Sequence, residues 1–158
     1  MQNRMKTHQL NQPEIDNILN QAQSGTFTTI GEDGYPYSVP INFAYSQGKI
    51  YMHGLAVGQK IDNLKANSKV GFEVHNMYGL LYDENPASSC SVNTKYNSVI
   101  IKGDAFLVET LEDKKEALTE IVRKYTPELE HLGMKDATLE KTAVIVLIIK
   151  ECTGKYYE

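Results

Sequence analysis

The sequence predicts a mainly β domain, a barrel of about six antiparallel strands with roughly two or three peripheral helices. Three observations lead there. In residues 36–60, Val39, Ile41, Phe43 and Tyr45 alternate with Ser38, Pro40, Asn42 and Ala44, the period of a half-buried strand. Tight-turn signals recur: Gly31 to Gly34 delivers the chain into that strand, and Gln47-Gly48 returns it as a hairpin. A short helical stretch, residues 59–67, then stands between the third and fourth strands, a connection that would split the barrel open.

The bulk properties narrow the partners. A chain of 158 residues is long enough for one domain with a real core. The net charge is −4, from 20 acidic and 16 basic side chains, so neither nucleic acid nor an anionic membrane is expected to be captured electrostatically. Any positive site must be a local pocket. Cys90 and Cys152 are the only cysteines. They form no C-x-x-C pair, and two buried free thiols in a reducing compartment are expected. The N-terminal stretch MQNRMKTHQL lacks the apolar centre of a signal peptide, and the longest apolar run, residues 143–149, is too short to span a bilayer. The expectation is a soluble, cytoplasmic protein. Its ten tyrosines suit strand and core-rim positions.

In chain order, residues 1–12 read as a polar lead-in. Residues 13–23 read as a helix, with Ile15, Ile18, Leu19 and Ala22 on one face and Pro13 in the first turn. Residues 26–30 are a β-branched strand, and the first three strands form a meander. Val70, Phe72 and Val74 alternate as a fourth strand. Residues 76–94 show no lasting period and read as a long loop of functional or interfacial kind. Residues 96–109 are one long strand, or two bent at Gly103. Thr110 and Asp113 make a capping box for a helix with the stripe Leu118, Ile121, Val122 and Tyr125, closed by Pro127. Residues 128–139 read as loop with a helical turn. Residues 143–150 are a continuous apolar strand, buried on both faces or covered by a partner chain, and 153–155 end it.

Chemistry gathers where the second hairpin strand meets the short helix. His53, Gly54, Gln59 and Lys60 fall at that junction. Backbone N–H groups at a helix start favour an anion, and a lysine adds full charge. Lys60 in the first turn opposes the helix dipole. A solvated lysine is the plainer reading, but a bound anion would remove the conflict. A lone histidine on a strand is commonly structural; here Gly54 beside it lets a flat ligand approach closely. Pro40 cannot donate to a ladder, so residues 39–41 sit at an edge or bulge, where free backbone groups can meet a ligand or simply guard the edge. Tyr96, Asn97 and Ser98 open a strand with three polar side chains, Tyr96 and Ser98 on one face. Glu73 and His75 share a face without a further ligand near enough in sequence for a metal set. Cys90 has no neighbour that would activate a nucleophile, and no P-loop, G-x-G-x-x-G, H-E-x-x-H or G-x-S-x-G is present.

Four stretches, GEDGYPYSVPINFAY, KIYMHGLAVGQKIDNLKANSKVGFEV, KYNSVIIKGDAFLVE and the terminal TGK, resemble in order the pyridoxamine 5′-phosphate oxidase-related flavoproteins. The similarity is greatest to the nitroimidazole-resistance (nitroimidazole reductase-like) branch, and it runs from about residue 15 to 155. It implies a six-stranded antiparallel split β-barrel of the FMN-binding type, a homodimer with FMN at the interface. It implies that the backbone of Val39, Pro40 and Ile41 faces the flavin ring, that His53 and Gly54 line the pocket, and that Gln59 and Lys60 hold the phosphate. Tyr96, Asn97, Ser98 and Lys155 would come from the second subunit. Relatives often carry Ser and Arg where this chain has Gly58 and Gln59, and arginine is common at the position of Asn97. The implied function is FMN-dependent reduction of small nitroaromatic substrates at the expense of a small-molecule reductant, with His53 as the catalytic proton donor. The alternatives are a flavin-binding or storage module without turnover, and a haem- or deazaflavin-binding relative on the same barrel.

Overall fold

A computed structural model describes residues 6–158. Within them the chain runs α1 (Gln12–Gln21), β1 (Gly25–Ile30), β2 (Pro36–Ile41), β3 (Phe43–Ser46), β4 (Lys49–Leu55), α2 (Gln59–Ala66), β5 (Lys69–Tyr82), β6 (Val92–Leu107), α3 (Leu111–Tyr125), a 3-10 turn (Pro127–Leu132), α4 (Asp136–Lys141) and β7 (Thr142–Tyr157). The strands form one antiparallel sheet of seven in the order β2-β1-β5-β6-β7-β4-β3.

The predicted six strands become seven because the strand expected through Tyr45 is broken at Asn42. Its first half, β2, pairs with β1, while its second half, β3, pairs with β4. The expected meander is therefore interrupted, and the two halves lie on opposite edges of the sheet. One residue joins those edges. Ile41 and Phe43 can be no more than about 7 Å apart, so the sheet curls until its edges meet at Asn42. β2 and β3 are not hydrogen-bonded to each other, so the sheet stays open along that seam. The alternation survives the break: Val39, Ile41, Phe43 and Tyr45 all pack on the main core.

That core holds Phe27, Phe43, Ile50, Met52, Phe72, Val99, Ile101, Ile145 and Leu147, with Ile15, Ile18 and Leu19 of α1 and Ile61 and Leu64 of α2 closing it. Asn11 caps α1 reciprocally with Glu14, a capping box that fixes the helix start. The opposite face of β3, β4 and β7 is covered by α3. There Ala44, Tyr51 and Val144 meet Ala117, Leu118, Ile121 and Leu139. β7 is thus buried on both faces from Ala143 to Ile145, and Leu147 is buried too; the double burial expected for 143–150 stops there, because Val146 is half-buried and Ile148 and Lys150 are exposed. It does not end at residues 153–155 but continues to Tyr157 along β6.

Other boundaries differ for physical reasons. Gln47 and Gly48 both take positive φ, 51° and 72°, the mirror-image turn that suits a right-twisted hairpin. β5 and β6 extend through most of residues 76–94, leaving only 83–91 as loop. Tyr78 is the extra residue of a bulge there, which disturbs the period. β6 is one long strand, the first of the two readings; at Gly103 the ladder to β7 shifts, with Lys150 the extra residue, and a side chain at Gly103 would collide with the Ile148 carbonyl. Residues 1–5 of the expected lead-in lie outside the described residues. Leu10 N–H donates to the Gly154 carbonyl and Tyr156 N–H to the His8 carbonyl, so the rest of the lead-in lies along β7. Cys90 and Cys152 are both free, but Cys90 is exposed, not buried; it sits in the 83–91 loop, outside any core. Among the described residues no helix is long and apolar enough to cross a membrane.

The end of α3 ties these parts together. Phe43 N–H donates to the Tyr125 hydroxyl at 3.0 Å, and that hydroxyl donates to the Gln23 carbonyl at 2.7 Å, with the Phe43 carbonyl also in reach at 3.1 Å. Lys124 Nζ lies 3.8 Å from the centre of the Phe43 ring and donates to the Leu19 carbonyl. Tyr125→Phe leaves backbone groups of Phe43 and Gln23 without this partner and should cost about 2–3 kcal/mol, read as a lower urea midpoint with unchanged slope. Burial lowers the Lys124 pKa from 10.5 to about 8. Between those values the unfolded chain holds the proton and the folded chain does not, so folding gains stability as pH rises from 8 to 10.5. That gain should be present in the wild type and absent in Lys124→Met, measured as urea unfolding free energy against pH.

Candidate functional site

The seam at Asn42 creates the site. β3 and β4 pair in the register Phe43↔Met52 and Ala44↔Tyr51. Continued, that ladder would set Asn42 opposite His53 and Ile41 opposite Gly54. Instead β2 turns away to β1, with Val39↔Phe27, Pro40↔Thr26 and Ile41↔Gly25. His53, Gly54 and Leu55 keep β7 on one side, through Val144, Ala143 and Thr142, and lose their strand partner on the other. The result is a cleft between two diverging strand ends. Pro40 is exposed on β2, and Val39 and Ile41 beside it are half-buried against the core. Pro40 therefore lies on an edge strand, as expected.

α2 enters the cleft by its N-terminus. Its first residue follows Gly58, whose φ of 113° favours glycine and which supplies no side-chain cap. The Gly58 carbonyl takes Ile61 and Asp62 N–H, while the N–H groups of Gln59 and Lys60 have no acceptor among the described residues. The helix is held by Ile61 and Leu64 in the core and by buried Asn63, which donates to Thr29 on β1 at 2.9 Å. Lys60 folds back over β4: a Cβ placed on Gly54 would lie 3.4 Å from its ammonium. No carboxylate within the described residues pairs with it. Two free N–H groups, a helix dipole and an unpaired ammonium thus converge beside Gly54. His53 is exposed at the cleft, yet its neighbours displace enough water to lower its pKa below the usual 6.5, so near neutral pH it carries no charge. Gln59 is exposed at the same corner. The structure therefore brings His53, Gly54, Gln59 and Lys60 to one place, with Ile41 across the seam on the diverging β2.

The other predicted residues form a second group. Ser98 on β6 pairs with Lys155 on β7, and Lys155 Nζ lies 5.5 Å from the Tyr96 ring centre. Tyr96 and Ser98 share a face. Asn97 points to the opposite one, where it accepts from Asn76 and donates to the Tyr78 hydroxyl at 2.8 Å. Ser98 is only 5% exposed, and its Oγ has no hydrogen-bond partner among the described residues. It lines a cavity of about 350 Å³ with Leu10, Ile100, Cys152, Thr153 and Lys155. A buried hydroxyl left without a partner in a native site calls for one. The sequence marked Ser98 as polar, but no local pattern shows that its hydroxyl is orphaned; only the packing of the lead-in against β7 does.

Within one chain the two groups are far apart. His53 is opposite Val144 and Ser98 is opposite Lys155 on the same strand. Eleven positions of β7 separate them, about 36 Å at ~3.3 Å each. No single flavin-sized molecule touches both in one copy.

Comparison with known proteins accords with this architecture. The chain is 29% identical over 137 residues to the L-serine dehydratase beta chain of Peptoniphilus asaccharolyticus. That match covers 84% of this chain and 57% of the relative, so the chain spans little more than half the length of that curated protein. Its fold is similar to that of a proposed 5-nitroimidazole antibiotic resistance protein from Bacteroides thetaiotaomicron, with TM-score 0.82 and 27% identity over 93% of this chain and 85% of that one. It is also similar to the flavocytochrome Anf3 from Azotobacter vinelandii, with TM-score 0.86 and 24% identity over 100% of this chain and 72% of that one, a likeness of fold alone. The family model described as pyridoxamine 5′-phosphate oxidase matches residues 11–156. With nearly the whole chain inside that match, the protein belongs to the pyridoxamine 5′-phosphate oxidase family.

Proposed function

We propose that the chain binds FMN between two copies of itself and reduces small aromatic substrates, nitroaromatics among them. The observation that carries this reading is Lys60: an unpaired ammonium laid on Gly54, at an uncapped helix start, beside His53. That donor set fits a phosphate monoester. The nitroimidazole link of the Bacteroides protein supports the substrate class. The separation of the two residue groups supports the homodimer. A two-fold axis would set Tyr96, Ser98 and Lys155 of one copy against the Lys60 corner of the other and would make two equal sites.

The residues present fit the cofactor. Lys60 and the N–H groups of Gln59 and Lys60 would hold the phosphate. The open edge of β2 at Val39, Pro40 and Ile41 would face the ring, and Gly54 leaves room for it. The orphaned Ser98 hydroxyl would gain a polar partner on the ring, with Lys155 beside it; Asn97 would act through Tyr78, from the other face. When bound, the flavin supplies the electron transfer. His53, at the exposed mouth of the cleft, would pass a proton to the substrate. A small-molecule reductant, such as a reduced nicotinamide, would recharge the site.

The test is the absorption spectrum of the purified protein and its mass in solution. A flavin spectrum bleached by reduced nicotinamide, on a dimer, is expected. A flavin spectrum that persists with reductant and substrate would indicate a carrier, a Soret band would indicate a haem protein, and a colourless chain that gains no colour with FMN would overturn the reading. Lys60→Met should weaken FMN about 10- to 100-fold, the value of one charge-assisted contact. Riboflavin, which lacks the phosphate, should bind both proteins alike in fluorescence titration. Turnover at saturating substrate should rise as pH falls through the lowered His53 pKa, below 6.5. His53→Ala should keep the flavin, lose most turnover and show no such rise.

A further inference from the structure

Beyond the ladder to β7, β5 and β6 run on as a two-stranded arm. β7 ends opposite Tyr96, and the pairs from Gly79↔Lys95 to Tyr82↔Val92 have no third strand. An isolated ribbon of this kind is marginal in water, yet this one exposes Met77, Tyr78, Leu80 and Tyr82, the last at 72%. A second exposed apolar patch lies on the β4–α2 connection: Leu55 and Val57, both 73% exposed, immediately before Lys60. Neither patch is covered by any described residue.

We propose, resting on the dimeric reading above, that the arm of one copy closes over the cofactor cleft of the other, packing Leu80 and Tyr82 on Leu55 and Val57 of the second copy. The arm grows from Tyr96 and Ser98, the patch adjoins Lys60, and these are the two half-sites that the dimer joins. From their meeting point the four pairs reach about 14 Å further, along the second copy's β4–α2 connection. Charge agrees with this docking. The arm's tip carries Asp83 and Glu84, and α2 offers the exposed Lys65, which the phosphate at Lys60 does not engage. A two-fold axis makes the contact twice and leaves neither patch open, which closes the assembly at two copies. The arm then roofs the cleft beside His53 and excludes water from it.

The test uses the full chain loaded with FMN, carrying Cys90→Ser and Cys152→Ser. With Val57→Cys and Leu80→Cys added, mild oxidation should shift most of the chain to dimer mass on a non-reducing gel. Leu80→Cys alone, or Val57→Cys with Lys115→Cys on α3, should stay at monomer mass. Separately, Leu80→Asp with Tyr82→Asp should raise the dimer dissociation constant about tenfold or more in sedimentation. These side chains are exposed in the single chain, so its fold is untouched. A protein that is dimeric and yellow but neither cross-links nor loses dimer affinity overturns the arm contact and leaves the proposed function standing. A wild type that is monomeric and binds no flavin overturns both.

Discussion

The Tyr125 hydroxyl holds Phe43 at the step where the chain crosses from one edge of the sheet to the other, and the site depends on that crossing. Phe43 follows Asn42, where the register with β4 ends and β2 takes up its own with β1. Left to strand pairing alone, Ile41 and Asn42 would continue the ladder and lie against Gly54 and His53. The hydroxyl engages Phe43 N–H and ties it to Gln23 beyond the end of α1, so backbone groups that the broken ladder cannot satisfy are satisfied by a side chain. That is the condition under which a buried break in a sheet is tolerated. The Phe43 ring is fixed as well, between Phe72 at 4.9 Å and the Lys124 ammonium at 3.8 Å.

From that seam the anion corner follows. β4 outlasts its partner by three residues, and the free flank is where glycine lets Lys60 lie flat on the strand. α2 cannot drift away, because Asn63 is buried on Thr29 and two of its apolar residues are in the core. The corner is thus braced where the proposed site would hold a phosphate. It is also incomplete: the polar groups that would face a ring bound there lie at the far end of β7. Strand length, not flexibility, sets that distance, and this is why the proposed site joins two molecules.

Much of this was legible in the residues. The alternation through Tyr45, the Gln47-Gly48 turn, the helices at both ends of the domain and the convergence of His53, Gly54, Gln59 and Lys60 all follow from local rules. So does the doubly buried start of β7. The misread parts share a cause. Residues 76–94 carry a bulge and exposed apolar side chains, so no period reports a dry face, and a strand paired on one side only resembles loop. Cys90 was misplaced with them. The unbroken alternation across Asn42 concealed that one apparent strand serves two neighbours.

Sequence alone determined which side chains face a dry interior and which chemical groups gather at the helix start, because both depend on residue type and spacing along a few turns of chain. Tertiary structure decided where the sheet opens, which hydroxyl is left without a partner, and how far apart the two halves of the site lie. Those depend on backbone hydrogen bonding between strands, and backbone N–H and carbonyl groups are the same at nearly every residue. A pattern of side chains can say that a strand exists; only the closed network of its neighbours says with whom it pairs and where it must stop.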